Sequence, residues 1–151
     1  MRLVVSSKGA GLKFLSEELL TEDLCLAACY DQNYSLRYIP EELITPRMCM
    51  ISCKYNSYAL QYIPENMITK ELCLIACMKS GCALRFVPKK MITKQMCLFA
   101  CSSYGLALMH VPKEMITEKL CLIAFARDEN MEHNSNYSDH KKFIINMLCK
   151  K

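Results

Sequence analysis

The sequence predicts an all-α fold, an α-solenoid of short two-helix repeats with a period of 24 residues and a C-terminal capping helix. Three observations lead to this prediction. A threonine recurs every 24 residues. It is followed by two positions, four residues apart, that are cysteine in most repeats. A leucine, with a proline four residues after it, completes the repeat. These columns are Thr21, Thr45, Thr69, Thr93 and Thr117; Cys25, Cys49, Cys73, Cys97 and Cys121; Cys29, Cys53, Cys77 and Cys101, with Phe125 in the fifth place; Leu36, Leu60, Leu84 and Leu108; and Pro40, Pro64, Pro88 and Pro112.

The repeats divide the chain into predicted segments. Residues 1–126 form a single helical-repeat domain, made of a partial repeat (1–20), four full repeats (21–44, 45–68, 69–92 and 93–116) and a degenerate repeat (117–126). Residues 127–138 are polar and predict a loop. Asp139 is placed to cap a last helix over 139–151, in which Phe143, Ile144, Met147 and Leu148 follow one apolar stripe.

Each element of a repeat has a local signal. The threonine that opens it is a favoured N-cap, and Pro46 after Thr45 fits the first helical position. Gly81 and Gly105, just after a first helix, predict a left-handed residue that ends it. A second, short helix is predicted over residues 83–86 and their equivalents. The next proline ends it, and one further turn leads to the following threonine.

Composition excludes several protein classes. The chain has 151 residues, of which 52% are hydrophobic, too many for a disordered protein. Its N-terminal apolar run is too short for a signal peptide, and no stretch is long enough to span a membrane. We therefore expect a reducing intracellular compartment and neither secretion nor membrane insertion. The odd number of cysteines, eleven, agrees with unpaired thiols.

The paired cysteines allow two interpretations. Spaced i, i+4, each pair lies on one face of a helix, and stacked repeats could bring four thiolates to Zn²⁺ or an iron–sulfur cluster. Core packing is favoured instead, because free cysteine packs as a small hydrophobe and Phe125 takes one cysteine position. We expect no metal or other cofactor. The metal alternative would use Cys25, Cys29, Cys49, Cys53, Cys73, Cys77, Cys97 and Cys101.

Aromatic and arginine side chains recur on the short helix and the turn before it. Such residues are enriched at the energetic centres of interfaces, and solenoids bind partners along extended surfaces. The sequence therefore predicts a protein-binding surface that carries Tyr34, Tyr38, Tyr58, Tyr62, Arg37 and Arg85. Inter-repeat packing of the aromatic column, which continues to His110, is the simpler alternative.

Positive charge is concentrated in residues 69–116, where seven Lys and Arg face two Asp and Glu. This distribution supports a second hypothesis, a nucleic-acid-associated protein that uses Lys70, Lys79, Lys89, Lys90 and Lys94. An enzyme is not expected. The three histidines, His110, His133 and His140, belong to no nucleophile or metal motif, and the sequence has no phosphate-binding glycine loop.

The motif over residues 69–77, Thr-Lys-Glu-Leu-Cys-Leu-Ile-Ala-Cys, followed by Ala-Leu-Arg-Phe-Val-Pro at 83–88, resembles a tandem-repeat domain of unknown function. That family occurs in giant amoebal viruses of the mimivirus type and in some intracellular bacteria. The resemblance spans about residues 1–126, with departures at Ser16, His110 and Phe125 and in the tail. It implies a helical array in a viral or host-interaction setting, in the host cytoplasm or the virion, and it implies no catalytic residue.

Taken together, these features predict a non-enzymatic scaffold or protein-interaction module. Its expected partner is a host or viral protein, with nucleic acid as the alternative. Self-association through the open ends of the solenoid is a further hypothesis.

Overall fold

A computed structural model of the chain describes residues 9–30 and 34–128, together with Lys142 and Asn146. The described part is an all-α repeat solenoid without a strand, which confirms the predicted fold class. Lys142 and Asn146, inside the predicted capping helix, are helical. The rest of that helix, and the predicted loop from residue 129 onward, lie outside the described residues. The division of the chain into a domain, a loop and a cap therefore stays a prediction.

Each repeat consists of one α-helix and two 3-10 segments. The α-helices are α1 (Glu22–Cys29), α2 (Pro46–Tyr55), α3 (Lys70–Lys79), α4 (Lys94–Ser103) and α5 (Glu118–Asp128). The longer 3-10 segments, here called short helices, are Gly9–Phe14, Ser35–Tyr38, Ser57–Tyr62, Gly81–Phe86 and Gly105–His110. The three-residue segments, here called linker turns, are Glu17–Leu19, Glu41–Leu43, Glu65–Met67, Lys89–Met91 and Lys113–Met115.

The start of each α-helix confirms the predicted caps. The threonine hydroxyl before each helix accepts a hydrogen bond from the backbone N–H three residues later, at 3.2–3.4 Å. Pro46 occupies the start of α2, where its missing N–H would have had no partner within the helix. Because each cap satisfies one orphan amide, the recurring threonine defines where every repeat begins.

The solenoid has two layers. Successive α-helices pack side by side, and a short helix packs against both the α-helix before it and the α-helix of the next repeat. The leucine of each short helix is buried between the layers, as Leu84 at 1% exposure illustrates. The cysteine columns and the alanines between them are buried in the same core. Neither layer could bury its apolar face alone, so the stacking of repeats holds the fold together.

The prediction of left-handed glycines at the helix ends is wrong. Among the described residues no glycine has a positive φ, and Tyr34 alone among the other residues has one, at 51°. Gly81 instead begins a short helix, where its N–H donates to Ser103 Oγ at 2.8 Å. A Cβ there would lie 2.2 Å from the Ala100 carbonyl oxygen. The glycine is needed for the close approach to α4 and not for a turn.

Candidate functional site

The short helices and linker turns form one side of the solenoid, which we call the short-helix face. Its inward positions, such as Leu60 and Leu84, are buried, whereas Arg37 and Arg85 are exposed. Four of the five linker turns directly follow a proline and the first follows Ser16. The charged residues of all five turns are exposed. Side chains that vary in charge from repeat to repeat are therefore displayed on this face, above a mostly apolar core.

Aromatic rings connect three successive repeats on the short-helix face. Tyr34 lies edge-on to both Tyr58 and Tyr62, with ring centroids 6.3 Å apart in each case. Tyr58 in turn lies edge-on to Phe86 at 5.8 Å. We call Tyr34, Tyr58, Tyr62 and Phe86 the aromatic cluster. Edge-on geometry at these distances is the favourable one for aromatic pairs, so neighbouring rings hold each other in place.

The two predicted arginines lie over aromatic rings at separate places. The Arg37 guanidinium carbon is 5.1 Å from the centroid of the Tyr38 ring and 6.0 Å from that of Tyr62. Arg85 lies 5.0 Å from the ring of Phe86, two repeats further along. A cation within about 6 Å of a ring face is attracted by it, and the contact restricts a long side chain. The structure thus joins Arg37, Tyr38 and Tyr62 directly and connects Arg85 to them through Phe86.

Tyr58 also contacts a cysteine of the next repeat. A hydrogen bond between Tyr58 and the Cys82 side chain, with the charge of that thiol when ionised, raises the pKa of Tyr58. Cys82 is half-buried, unlike the nine cysteines of the core. The Tyr58 hydroxyl therefore links the aromatic cluster to Cys82 of the next repeat.

Grooves separate neighbouring short helices on this face. Three have equivalent walls, formed by the leucine and the cation of one short helix and by the residue in the Tyr38 register of the next. The first, of about 480 Å³, is lined by Lys13 and Tyr38, and the second, of about 300 Å³, by Arg37 and Tyr62. The third, of about 560 Å³, is lined by Arg85 and His110, and we call it the basic groove.

The basic groove differs from the other two in charge. Arg85, Lys89 and Lys113 line it, against one carboxylate, that of Glu114. In the second groove Arg37 faces Glu41, and the first pairs two cations with two carboxylates. Partial burial, and then the charge of Arg85, lower the pKa of His110, so its ring is neutral at pH 7.

The lysines proposed for nucleic-acid binding do not follow one stripe. Lys70 and Lys79 begin and end α3, a helix of ten residues, and so lie about 13 Å apart along its axis. Lys89 lines the basic groove, whereas Lys90 pairs with Glu65 of the preceding linker turn at 3.4 Å, with both side chains exposed. Lys94 begins α4 on the other layer. These five lysines therefore form separate local positive charges and not one continuous stripe along which a phosphate backbone could lie.

The predicted cysteine columns meet inside the α-helical layer. Cys25, Cys29, Cys49, Cys53, Cys73, Cys77, Cys97, Cys101 and Cys121 are buried, and we call them the cysteine ladder. Thiols of adjacent helices are close enough for one to influence the ionisation of another, as Cys29 does for Cys49 and Cys73 does for Cys53. Pairs of thiols from adjacent helices follow one another along the axis of the solenoid, so the cysteine ladder is continuous.

Two features of the described cysteine ladder favour core packing over the metal alternative. Burial raises the pKa of Cys49 and Cys73 to about 11 and that of Cys53 and Cys77 to about 12. Metals bind the thiolate, which these sites disfavour. Within residues 9–30 and 34–128 no three Cys, His, Asp or Glu side chains converge to hold an ion. The proximity of the thiols therefore reflects packing of small apolar groups.

Sequence reasoning missed the basic groove, although a signal was present. The first charged position of the linker turn is Glu17, Glu41 and Glu65 in the first three turns and becomes Lys89 and Lys113 in the last two. Reading that column alone would have shown the reversal of charge. His110 was placed in the aromatic column, but its approach to Arg85 depends on how the repeats stack.

Comparison with protein families gives one match. The model of a domain of unknown function, DUF4116, matches residues 47–92 and again residues 69–116. The two matches overlap over 69–92, which is one predicted repeat. No curated protein and no solved structure matches the chain. Separately, no helix in the described part of the chain is long and apolar enough to cross a membrane. The comparisons thus support a helical repeat of unknown function, similar to DUF4116 over residues 47–116.

Proposed function

We propose that this protein is a non-enzymatic protein-interaction module that binds its partner on the short-helix face. The observation that carries the proposal is the aromatic cluster, in which rings of three repeats contact one another while Tyr34 remains 41% exposed. Rings held in place lose little conformational freedom when a partner binds, which favours affinity. Arg37 and Arg85, held over rings at either side, add donors for carboxylates or backbone carbonyls.

The chemistry of the titrating groups supports a binding role over catalysis. The strongly shifted groups are thiols whose pKa is raised by burial, whereas a catalytic cysteine needs a lowered pKa and access to substrate. The proposal includes a reducing compartment, because the ten described cysteines are free thiols. The viral or host-cell setting, and self-association through the solenoid ends, rest on the resemblance and the repeat architecture alone.

The competing surface is on the other layer. Leu98 and Leu122, equivalent residues of α4 and α5, are 44% and 54% exposed on the outer side of the α-helical layer. A partner that binds by apolar contact could use them instead of the aromatic cluster. The experiment must therefore compare the two layers.

Site-specific photo-crosslinking makes this comparison. A photoreactive phenylalanine analogue replaces Tyr62 in one variant and Leu98 in the other, and both full-length proteins are irradiated in cells. We expect a defined crosslinked partner from position 62 only, and loss of that band when Tyr34→Ala and Arg37→Ala are added. Crosslinks from position 98 alone, or a band at position 62 that survives both substitutions, would overturn the proposal.

A further inference from the structure

Of the three grooves described on the short-helix face, the basic groove alone has more cations than carboxylates on its walls. Arg85, Lys89 and Lys113 line it from three different segments, a short helix and two linker turns. Within the described residues none of the three is in an ion pair, whereas Lys90 next to them is held by Glu65. The groove therefore presents cations that are not neutralised by direct carboxylate contacts.

The floor of the groove is apolar. Leu84, Val87 and Val111 are buried, and each lines the groove. Charges above a floor that excludes water interact with an anion more strongly than charges fully surrounded by solvent. The arginine adds a planar fork of donors that matches the oxygens of a phosphate or carboxylate.

From this arrangement we infer that the basic groove binds a phosphate group carried by a segment of the partner protein. The inference rests on the proposed function, since it assigns a ligand chemistry to part of the short-helix face. Three cations against one carboxylate suit a dianionic phosphomonoester better than a single carboxylate. His110, at the rim beside Arg85, adds a ring that can take up a proton when an anion lies next to it.

A nucleic-acid strand fits these observations less well. Its phosphates recur along the whole length of the strand, so a binding surface must stay positive over several repeats. Here the equivalent grooves carry Glu41, or Glu17 and Glu42, on their walls. The excess of positive charge is therefore local and matches a single phosphate group.

The repeat itself supplies the decisive variant. Lys89→Glu places in this linker turn the residue that Glu17, Glu41 and Glu65 provide in the first three linker turns, so the fold accepts it in three repeats. Lys70→Glu is the matched control, because it makes the same change of charge at an exposed residue outside the groove. Circular dichroism and unfolding midpoints would verify that both variants are folded.

The probes are O-phosphoserine and inorganic phosphate, titrated into the ¹⁵N-labelled full chain and followed by amide chemical shifts. We expect saturable shifts at residues 85–89 and 109–114. The dissociation constant should be at least tenfold larger for Lys89→Glu and should change less than twofold for Lys70→Glu. Serine should produce no shifts. Equal weakening by the two variants, or shifts at lysines throughout the chain, would overturn the inference in favour of unspecific charge attraction.

A single-stranded oligonucleotide is the third probe. If it binds more tightly than phosphoserine and loses affinity when Lys70, Lys79 or Lys94 is substituted, the ligand is a nucleic acid and the inference is wrong. The two proposals fail separately. A crosslinked partner at position 62 with no phosphate binding removes only the groove assignment. Phosphate binding with no partner on the short-helix face removes the protein-binding function and, with it, the assignment of the phosphate to a partner protein, but leaves the groove as a phosphate site.

Discussion

The two layers of the solenoid differ in how much their repeats resemble each other. In the α-helical layer the cysteine ladder occupies both columns of each helix up to Cys121, and its members are almost fully buried. In the linker turns the first charged position changes from glutamate to lysine along the chain. The buried positions of each helix must fit against the equivalent buried positions of its neighbours, so packing permits little change there, whereas an exposed side chain has no such constraint. Differences between repeats on the short-helix face are therefore the features that carry information about binding.

The largest expected effect is a loss of stability at alkaline pH, which originates in the α-helical layer. Because burial raises the pKa of the ladder thiols above their ordinary value of 9.0, the unfolded chain releases these protons first. Stability should be unaffected by the ladder below pH 9 and fall as pH rises toward 11–12. The expected slope is about 1.4 kcal/mol per pH unit for each such cysteine. Urea unfolding with a reductant, measured from pH 7 to 11, checks this.

A matched variant shows whether the ladder causes that fall. Cys53→Ala with Cys77→Ala removes two of the thiols and should lower the slope above pH 9, at the cost of some stability at pH 7. Tyrosines and lysines remain in both proteins and so cancel in the comparison. An unchanged slope above pH 9 would contradict the proposed protonation of the ladder.

The next largest expected effect is a difference in stability between variants at two adjacent residues of one short helix. Leu84 is 1% exposed between the layers, so Leu84→Ala should lower the free energy of unfolding by about 2–5 kcal/mol. Arg85→Ala, on an exposed side chain that contacts Phe86, should cost about 1 kcal/mol or less. Denaturant unfolding of both variants provides the measurement. Similar losses of stability in the two variants would mean that the short-helix face is part of the structural core and not a surface whose side chains can change without cost to the fold.

The smallest expected effect is a gain in stability at Ser52. This buried serine stands where the other repeats have Ala28, Ala76, Ala100 and Ala124. Its Oγ has no hydrogen-bond partner within ordinary distance among the described residues, although the Cys29 thiol, a weak partner, lies nearby. Ser52→Ala should therefore raise the free energy of unfolding by about 1 kcal/mol.

The reverse substitution is the control for Ser52. Ala76→Ser places a hydroxyl at the equivalent buried position of α3 and should lower stability by a comparable amount. If Ser52→Ala destabilises the protein, the hydroxyl has a partner that matters. The uniformity of the α-helical layer would then be broken at this one position for a structural reason.

Much of the fold followed from the sequence because its determinants are local. The threonine caps need only the helix that begins beside them, and Pro46 needs only its own ring geometry. The burial of the cysteine and leucine columns followed from helical periodicity together with the repeat. On the face, Tyr34, Tyr58 and Tyr62 were predicted together and lie in contact.

The features that could not be predicted from the sequence depend on the offset between neighbouring repeats. Gly81 was interpreted through its own backbone preference, but its role comes from the Ala100 carbonyl nineteen residues later. The approach of Cys29 to Cys49 and of Arg85 to His110 depends on the same offset. Rise and rotation between stacked repeats are determined by side-chain packing over the whole interface, which a periodic pattern does not encode.

The sequence by itself therefore determined the repeat length, the helix starts and the identity of the core, since each depends on neighbours along one helix or on a strict period. The tertiary structure alone decided which exposed side chains share a groove. Arg85 and Lys113 lie 28 positions apart in the chain, and they line one groove with Lys89 only because two repeats stack at one particular spacing. Contacts between repeats, unlike those within a helix, are set by the packing of complete layers.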